Sequence, residues 1–279
     1  MKKYNPTTPT KRHHIDIDRS VLSKKEPHKA LTKGYKPAQG RSSSGEISVR
    51  HKGGAVKKNY RTVEFGQIHK GIPAKVEAIE YDPYRTAFIA LIVFSNGFRT
   101  YILAPEGIKA GDKILCNDST PLTPGNRLQL VNIPSGTQVH NVEIKPEEGG
   151  RLARSAGSYL TMVGLEGAYA YLKMPSSEVR KVQSKCFASV GPVSNIEHNL
   201  ISVGKAGRNR HKGIRPTVRG SAMNACDHPY GGGKGKHPRG TKRPKDIWGN
   251  VTGGRKTRKA NKYSNKFIVS RRKSSKKSK

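Results

Sequence analysis

Asp227 and His228 are adjacent and serines are plentiful, so a Ser–His–Asp hydrolase is the first chemistry to weigh. Adjacency carries no triad geometry, and no GxSxG elbow stands ahead of a helical pattern. Gly231, Gly232, Gly233 and Lys234 share the composition of a phosphate loop, but no strand precedes them, no helix follows, and GxxxxGK[ST] is absent. Carboxylates are scarce where cations are dense, which leaves a metal-dependent nuclease few ligands. Cys116, Cys186 and Cys226 lie far apart, form no CxxC pair and are expected as small core thiols in a reducing compartment. No catalytic or metal-binding residue is assigned, and the chain reads as a non-enzyme.

A different chemistry recurs. Gly53-Gly54, Gly149-Gly150, Gly231–Gly233 and Gly253-Gly254 each sit beside Lys, Arg or His. Bare glycine backbone lies close to a phosphate chain and donates N–H groups to it, or simply makes a flexible loop. Arg208, Arg210, Arg215 and Arg219 come at near-regular spacing, and guanidinium forks suit phosphates and splayed bases. Tyr60, Tyr230, Trp248 and Tyr263 lie among cations, suited either to base stacking or to local packing.

The charge distribution supports a polyanionic partner. The formal net charge is +35, with balances of +11 over residues 1–60, +2 over 61–200 and +22 over 201–279. Two cationic arms thus flank an almost neutral middle, and such arms need phosphate. Their Gly-, Ser- and cation-rich composition buries too little apolar surface to offset the entropy of ordering, about 1–2 kcal/mol per residue. No apolar run approaches the ~20 residues of a membrane span. The first twenty residues lack the apolar stretch of a signal peptide, so a cytoplasmic location is expected.

The middle must supply the rigid body. AKVEAIEY, TAFIALIVF and FRTYILA read as strands, with Asp82-Pro83 as a turn and Asn96-Gly97 as a hairpin signal, since both residues accept positive φ and FRTYILA then returns antiparallel. A short strand follows near Lys113–Cys116, and then NRLQLVNI, TQVHNVEIK, SYLTMVG, AYAYLKM, SEVRKVQ and KCFASVG, divided by Gly, Pro and Ser. Regular short strands with frequent turns predict a mainly β chain of two consecutive small barrels. A helix is expected near Leu152–Ala156.

These residues carry a resemblance over nearly the whole chain. RHKGGAVKKNYR, EYDPYRTAFIAL, YILAPEGIKAGD, NIPSGTQVHNVEIKPEEGGRLARSAGSY and GIRPTVRGSAMNACDHPYGGGKG, in this order, resemble the bacterial-type ribosomal large-subunit protein L-two family. The resemblance implies a basic N-terminal arm over 1–60, an OB-fold-like RNA-binding domain over 61–125, an SH3-like barrel over 126–202 and a basic C-terminal arm over 203–279. It implies binding to large-subunit rRNA near the peptidyl-transferase region, with roles in assembly, subunit association and translation, while RNA performs the catalysis. Partners would be that rRNA, small-subunit rRNA at the subunit interface and other ribosomal proteins, with no membrane and no second copy of the chain. No cofactor is expected beyond structural Mg²⁺ shared with rRNA.

The expected RNA contacts are Arg50, His51, Lys52, Lys57, Lys58, Tyr60 and Arg61 at the first arm, and Arg151 and Arg154 in the second barrel. In the second arm they are Lys205, Arg208, Arg210, Lys212, Arg215, Arg219, His228, Gly231, Gly232, Gly233, Lys234, Lys236, Arg255, Arg258, Arg271 and Arg272. The chain departs from the family's DHPHGGGEG loop at Tyr230 and Lys234, has Ala225-Cys226 where Pro-Val is usual, and lacks a tryptophan ahead of GIRP. A free RNA-binding or RNA-chaperone factor is the alternative reading. Co-sedimentation with large subunits would separate the two.

Overall fold

A computed structural model describes residues 1–235, 239–254 and 256–272. The chain divides into two units. Unit 1 combines residues 1–36, 57–206 and 266–279. Unit 2 combines 37–56 with 207–265.

Unit 1 holds nearly all the regular structure. Strands β1 (Lys2–Lys3) and β2 (Ile15–Asp16) pair at the start, and β3 (Thr32–Tyr35) pairs antiparallel with β4 (Lys58–Arg61). Next come β5 (Ala74–Glu80), β6 (Ile89–Phe94), β7 (Arg99–Leu103) and β8 (Lys113–Ile114), in spatial order β7-β6-β5-β8. The apolar run of β6 is explained by burial on both faces: Ala90, Ile92 and Phe94 belong to one core, and Ile89 and Leu91 to a second. Val76, Ile79, Ile92, Phe94, Ile102 and Ile114 fill the core, each large aliphatic contributing about 1.5–3 kcal/mol by burial.

A second curled sheet follows. Its members are β9 (Arg127–Gln129), β10 (Gln138–His140), β13 (Leu160–Glu166), β14 (Tyr169–Lys173), β15 (Val179–Gln183) and β16 (Phe187–Val190). Between them β11 (Val142–Glu143) pairs with β12 (Gly150–Leu152). Leu128, Leu130, Val139, Leu160, Met162 and Leu172 make its core. A buried ion pair lies within it: Arg127 donates to Glu143 at 2.8 Å and to the Asn141 carbonyl at 2.8 Å. Glu143 in turn accepts from the Phe187 N–H, so both charges are hydrogen-bonded as burial requires.

The mainly β architecture agrees with the sequence reading; several details differ. The hairpin at Asn96-Gly97 forms as expected, with residues 95–97 as a three-residue loop in which only Gly97 has positive φ. The expected helix near Leu152–Ala156 does not form. Residues 150–152 are committed to β12, and Ala153 takes φ 49°, outside helical space. Cys116 and Cys186 are buried core thiols whose pKa burial pushes up to about 11 and about 12, whereas Cys226 is exposed. The arms also contribute structure. Ile17 and Leu22 pack on the first core, and β17 (Ile268–Ser270) from the far end of the chain joins β15.

The two sheets of unit 1 meet at a bonded seam. Ser194 donates its N–H to the Ala104 carbonyl, its Oγ accepts from the Phe88 N–H at 3.2 Å, and Ala87, Leu103 and Val193 bury each other. Asn141 and the Gly150 N–H both donate to the Phe65 carbonyl.

Candidate nucleic-acid interface

In unit 2, nineteen basic residues accompany three acidic ones, Glu46, Asp227 and Asp246. Backbone pairing brings the two segments of the unit together. Lys52 bridges Ile214, the Gly53 N–H donates to the Gly213 carbonyl at 2.9 Å, and the Arg215 N–H donates to the His51 carbonyl at 3.1 Å. The result is a cleft of about 520 Å³ lined by Gln39, Arg41, Ile47, Arg50, His51, Lys52, Arg215 and Pro216. Among the described residues no carboxylate lines it. Arg50 also lies over the Trp248 ring at 5.4 Å, and that indole is largely exposed. Asp246 shapes the turn carrying Trp248 by accepting from the N–H groups of Trp248 and Asn250; those bonds hold its carboxyl below the usual range.

The loop around His228 folds on itself. The Gly231 N–H donates to the His228 carbonyl and the Gly232 N–H to the Met223 carbonyl. A Cβ on Gly231 would collide with the Asn224 carbonyl, and Gly232 takes φ 79° with its Cβ position 3.1 Å from that of Ala225. Both glycines are therefore demanded by the chain's own packing. The imidazole lies against Gly220, its Nδ1 accepts from the Tyr230 N–H at 3.0 Å, and its ring faces that of Tyr230 at 4.9 Å. Tyr230, one of the departures from the family loop, accepts at its hydroxyl from Thr241 and from the Lys245 N–H. The Thr241 bond leads in holding its pKa below the usual tyrosine value. Tyr230 thereby ties the glycine loop to residues 241–245.

Unit 1 presents a second cationic surface, centred on the β3–β4 hairpin. Tyr101 positions that hairpin from the first core: its hydroxyl donates to Glu80 at 2.8 Å and accepts from the His28 N–H at 2.9 Å. Burial raises the pKa of both groups, keeping the phenol protonated as a donor. Tyr35, Tyr60 and Tyr84 cluster with centroids 5.6–6.3 Å apart. Lys58 lies over Tyr84 at 5.8 Å and Arg85 over Tyr60 at 5.8 Å. Arg85 and Arg154 share the Phe65 ring, at 5.2 and 4.2 Å. Arg154 is held below its usual pKa first by burial and then by the charges of Arg85 and Arg151. Arg85 is paired with the fully buried Asp82 at 2.9 Å.

The residues expected from sequence thus fall into groups. Arg50, His51, Lys52 and Arg215 share the cleft, and Arg210 approaches it, 3.8 Å from the Cβ position of Gly53. Arg208 and Lys212 belong to the adjoining helix Ala206–His211 and its end. Arg219 precedes Gly220, against which His228 rests, while Gly233 and Lys234 are exposed beyond it. Lys58, Tyr60 and Arg154 share the aromatic surface. Lys57 and Arg61 flank Lys58 and Tyr60, and Arg151 lies near Arg154 while pairing with Glu148 at 3.7 Å. Lys205, Arg271 and Arg272 are exposed on unit 1. Arg258 is bonded within its own segment to Asn265 and Ser264. Lys236 and Arg255 lie outside the described residues.

Sequence reasoning missed Tyr35, Tyr84, Arg85 and Arg41. The motif YDPYR, with an aromatic and a cation just after a turn, was the available signal for two of them. Among the described residues no group of three His, Cys, Asp or Glu is placed to hold a metal. No helix among them is long and apolar enough to cross a membrane.

Curled β modules carrying acid-poor surfaces rich in arginine and aromatics have the make-up of an RNA-binding protein. Residues 28–116 match the family model described as Ribosomal Proteins L2, RNA binding N-terminal domain, and residues 123–249 match Ribosomal Proteins L2, C-terminal domain. The chain belongs to this family of large-subunit, RNA-binding ribosomal proteins, which are structural components and not classical enzymes.

Proposed function

We propose that the chain is a scaffold for large-subunit rRNA near the peptidyl-transferase region, supporting assembly, subunit association and translation. The observation that carries this reading is the unit 2 cleft, where Arg41, Arg50, His51, Lys52 and Arg215 converge with no carboxylate among the described lining residues. Cations brought together without counter-charge repel unless an anion joins them, and a phosphate chain is an anion of suitable reach. The loop from Asp227 to Lys234 then acts by position: His228 Nε2 and the Lys234 ammonium donate to phosphates or base edges. Peptide-bond chemistry remains with RNA. Contact with small-subunit rRNA, a cytoplasmic location, a single copy per particle and Mg²⁺ shared with rRNA belong to the same proposal.

The test is a salt titration of the full chain on its rRNA target. The triple variant Arg50→Gln, Lys52→Gln, Arg215→Gln should weaken binding and reduce the slope of log K against log salt by about 2–3. An unchanged slope would remove the cleft from the RNA interface. In parallel, wild-type chain should sediment with large subunits at low salt and leave only at high salt; failure to sediment would favour a free RNA-binding factor.

A further inference from the structure

We propose that an acid-edged apolar groove on unit 1, walled by Val21, Ile108 and Ile196 and carrying Asp18, Glu106 and Glu197, docks a segment of another protein that bears lysine or arginine beside apolar side chains. The inference goes beyond RNA scaffolding and assigns a protein partner to a face that phosphate would avoid.

Three observations lead there. First, the groove is built by the fold. It has a volume of about 580 Å³ and draws its walls from residues 17–21, from the segment after β7 and from residues 194–197. Backbone bonds fix these walls. The Ser23 N–H donates to the Ile79 carbonyl at 2.8 Å, the Ser194 N–H to the Ala104 carbonyl at 3.0 Å and the Glu106 N–H to the Pro192 carbonyl at 2.9 Å. Walls set beforehand spare a partner the cost of ordering them. Second, the lining is mainly apolar. Ile79, Phe88, Ala104 and Ile108 are buried in it, while Val21 and Ile196 are 66% and 53% exposed and left for something to cover.

Third, the charge is inverted. Among the described residues the lining holds three carboxylates, Asp18, Glu106 and Glu197, against one ammonium, that of Lys109. The chain as a whole has 54 basic and 19 acidic residues. Glu197 accepts the N-terminal ammonium at 3.0 Å, so this edge already takes up a cation. Asp18 and Glu106 are in no ion pair among the described residues.

RNA matches the groove poorly. The carboxylates repel phosphate, and the Phe88 ring is too deeply buried to take a base. A basic apolar segment uses both parts of the surface. Its hydrocarbon covers Val21 and Ile196, and its cations reach Asp18 and Glu106.

The experiment follows the anisotropy of a labelled nine-residue peptide, lysine alternating with leucine and valine, titrated with the full chain free of RNA. Net charge of +35 repels this peptide from most of the surface, so binding reports an acidic patch. Wild type should bind it about tenfold more tightly than a peptide alternating lysine with serine, the difference being apolar contact. Asp18→Asn with Glu106→Gln should weaken the apolar peptide about fivefold. Val21→Ser with Ile196→Ser should erase its advantage over the serine peptide. Both variants should keep the wild-type thermal midpoint and rRNA affinity, since all four side chains are exposed and lie outside the cationic surfaces. Absence of binding, equal affinity for the two peptides, or binding that either pair of substitutions leaves unchanged overturns the proposal. So does a dimer in sedimentation that Val21→Ser with Ile196→Ser dissociates, which makes a second copy the occupant. Crosslinking of Val21→benzoylphenylalanine to the rRNA target makes RNA the occupant and likewise overturns it.

Discussion

His228 accepts a backbone N–H at Nδ1, which in the neutral ring places its proton on Nε2. That arrangement suits a fixed donor. General acid–base work would need a second poised group, and among the described residues no acid or base is hydrogen-bonded to the ring. Removing the imidazole with His228→Ala should therefore cost one or two hydrogen bonds, about 1–3 kcal/mol locally, and slow assembly or subunit joining. Single-turnover peptide-bond formation by particles that do assemble should stay close to wild type. A fall of ~10³-fold at normal protein content would instead make His228 catalytic. Gly232→Val should be the more damaging change, because it puts a β-branched residue at φ 79° against Ala225. Its readout is incorporation of the variant chain into large subunits.

His140 offers a separate test, in the second core. It is fully buried, with Nδ1 bonded to the Gly191 carbonyl, and burial pushes its pKa down to about 4. The unfolded chain takes up this proton near 6.5, so between the two values the unfolded state binds more protons. Stability from this residue is complete above pH 6.5 and is lost progressively as pH falls toward 4, by about 3 kcal/mol in all. Denaturant melts of wild type and His140→Gln should differ in steepness over that window and run parallel above it.

At the level of elements, the β3–β4 hairpin depends on a bond made well away from it. Tyr101→Phe deletes the hydroxyl that joins buried Glu80 to the His28 N–H, leaving both short of a partner. The expected loss is about 1–3 kcal/mol of stability, seen as a lower thermal midpoint, with weaker RNA binding following from the loosened hairpin. The strands of unit 1 were legible in the sequence because β-branched runs alternate with turn residues there. The β6 run and the β13–β16 series stand close to where the pattern puts them. The arm anchors were not legible. Ile17, Leu22 and Leu31 occur singly, without a period, and only the folded cores reveal what they pack against. Much the same holds for the binding surfaces. Residues 50–52 were visible as a basic motif, but the meeting of Arg85 with Arg154 spans the seam between two sheets, and no local pattern encodes it. The glycine loop was legible as special while its reason was not, since Gly231 yields space to Asn224.

Across the whole molecule, binding should be dominated by counterion release from the basic segments. If roughly ten cations neutralise phosphates, log K falls with log salt at a slope of about −7 to −9, and a fourfold rise in salt costs on the order of 10⁴–10⁵ in affinity. A slope shallower than about −3 on the rRNA target would show that the arms are not the main anchor.

The pairing of β17 with β15 changes what kind of object the C-terminal arm is. Residues 207–265 leave unit 1 at Ala206 and return to it at Lys266, and residues 37–56 likewise leave and return. Each is a lasso with both ends tied, not a loose thread. A tied lasso cannot be passed end-first through an RNA ring that has already closed. The ring must close around it, or the β17 knot must first come undone. On the scaffold reading, an rRNA strand that encircles either excursion has to close after the protein is in place, or after β17 has parted from β15.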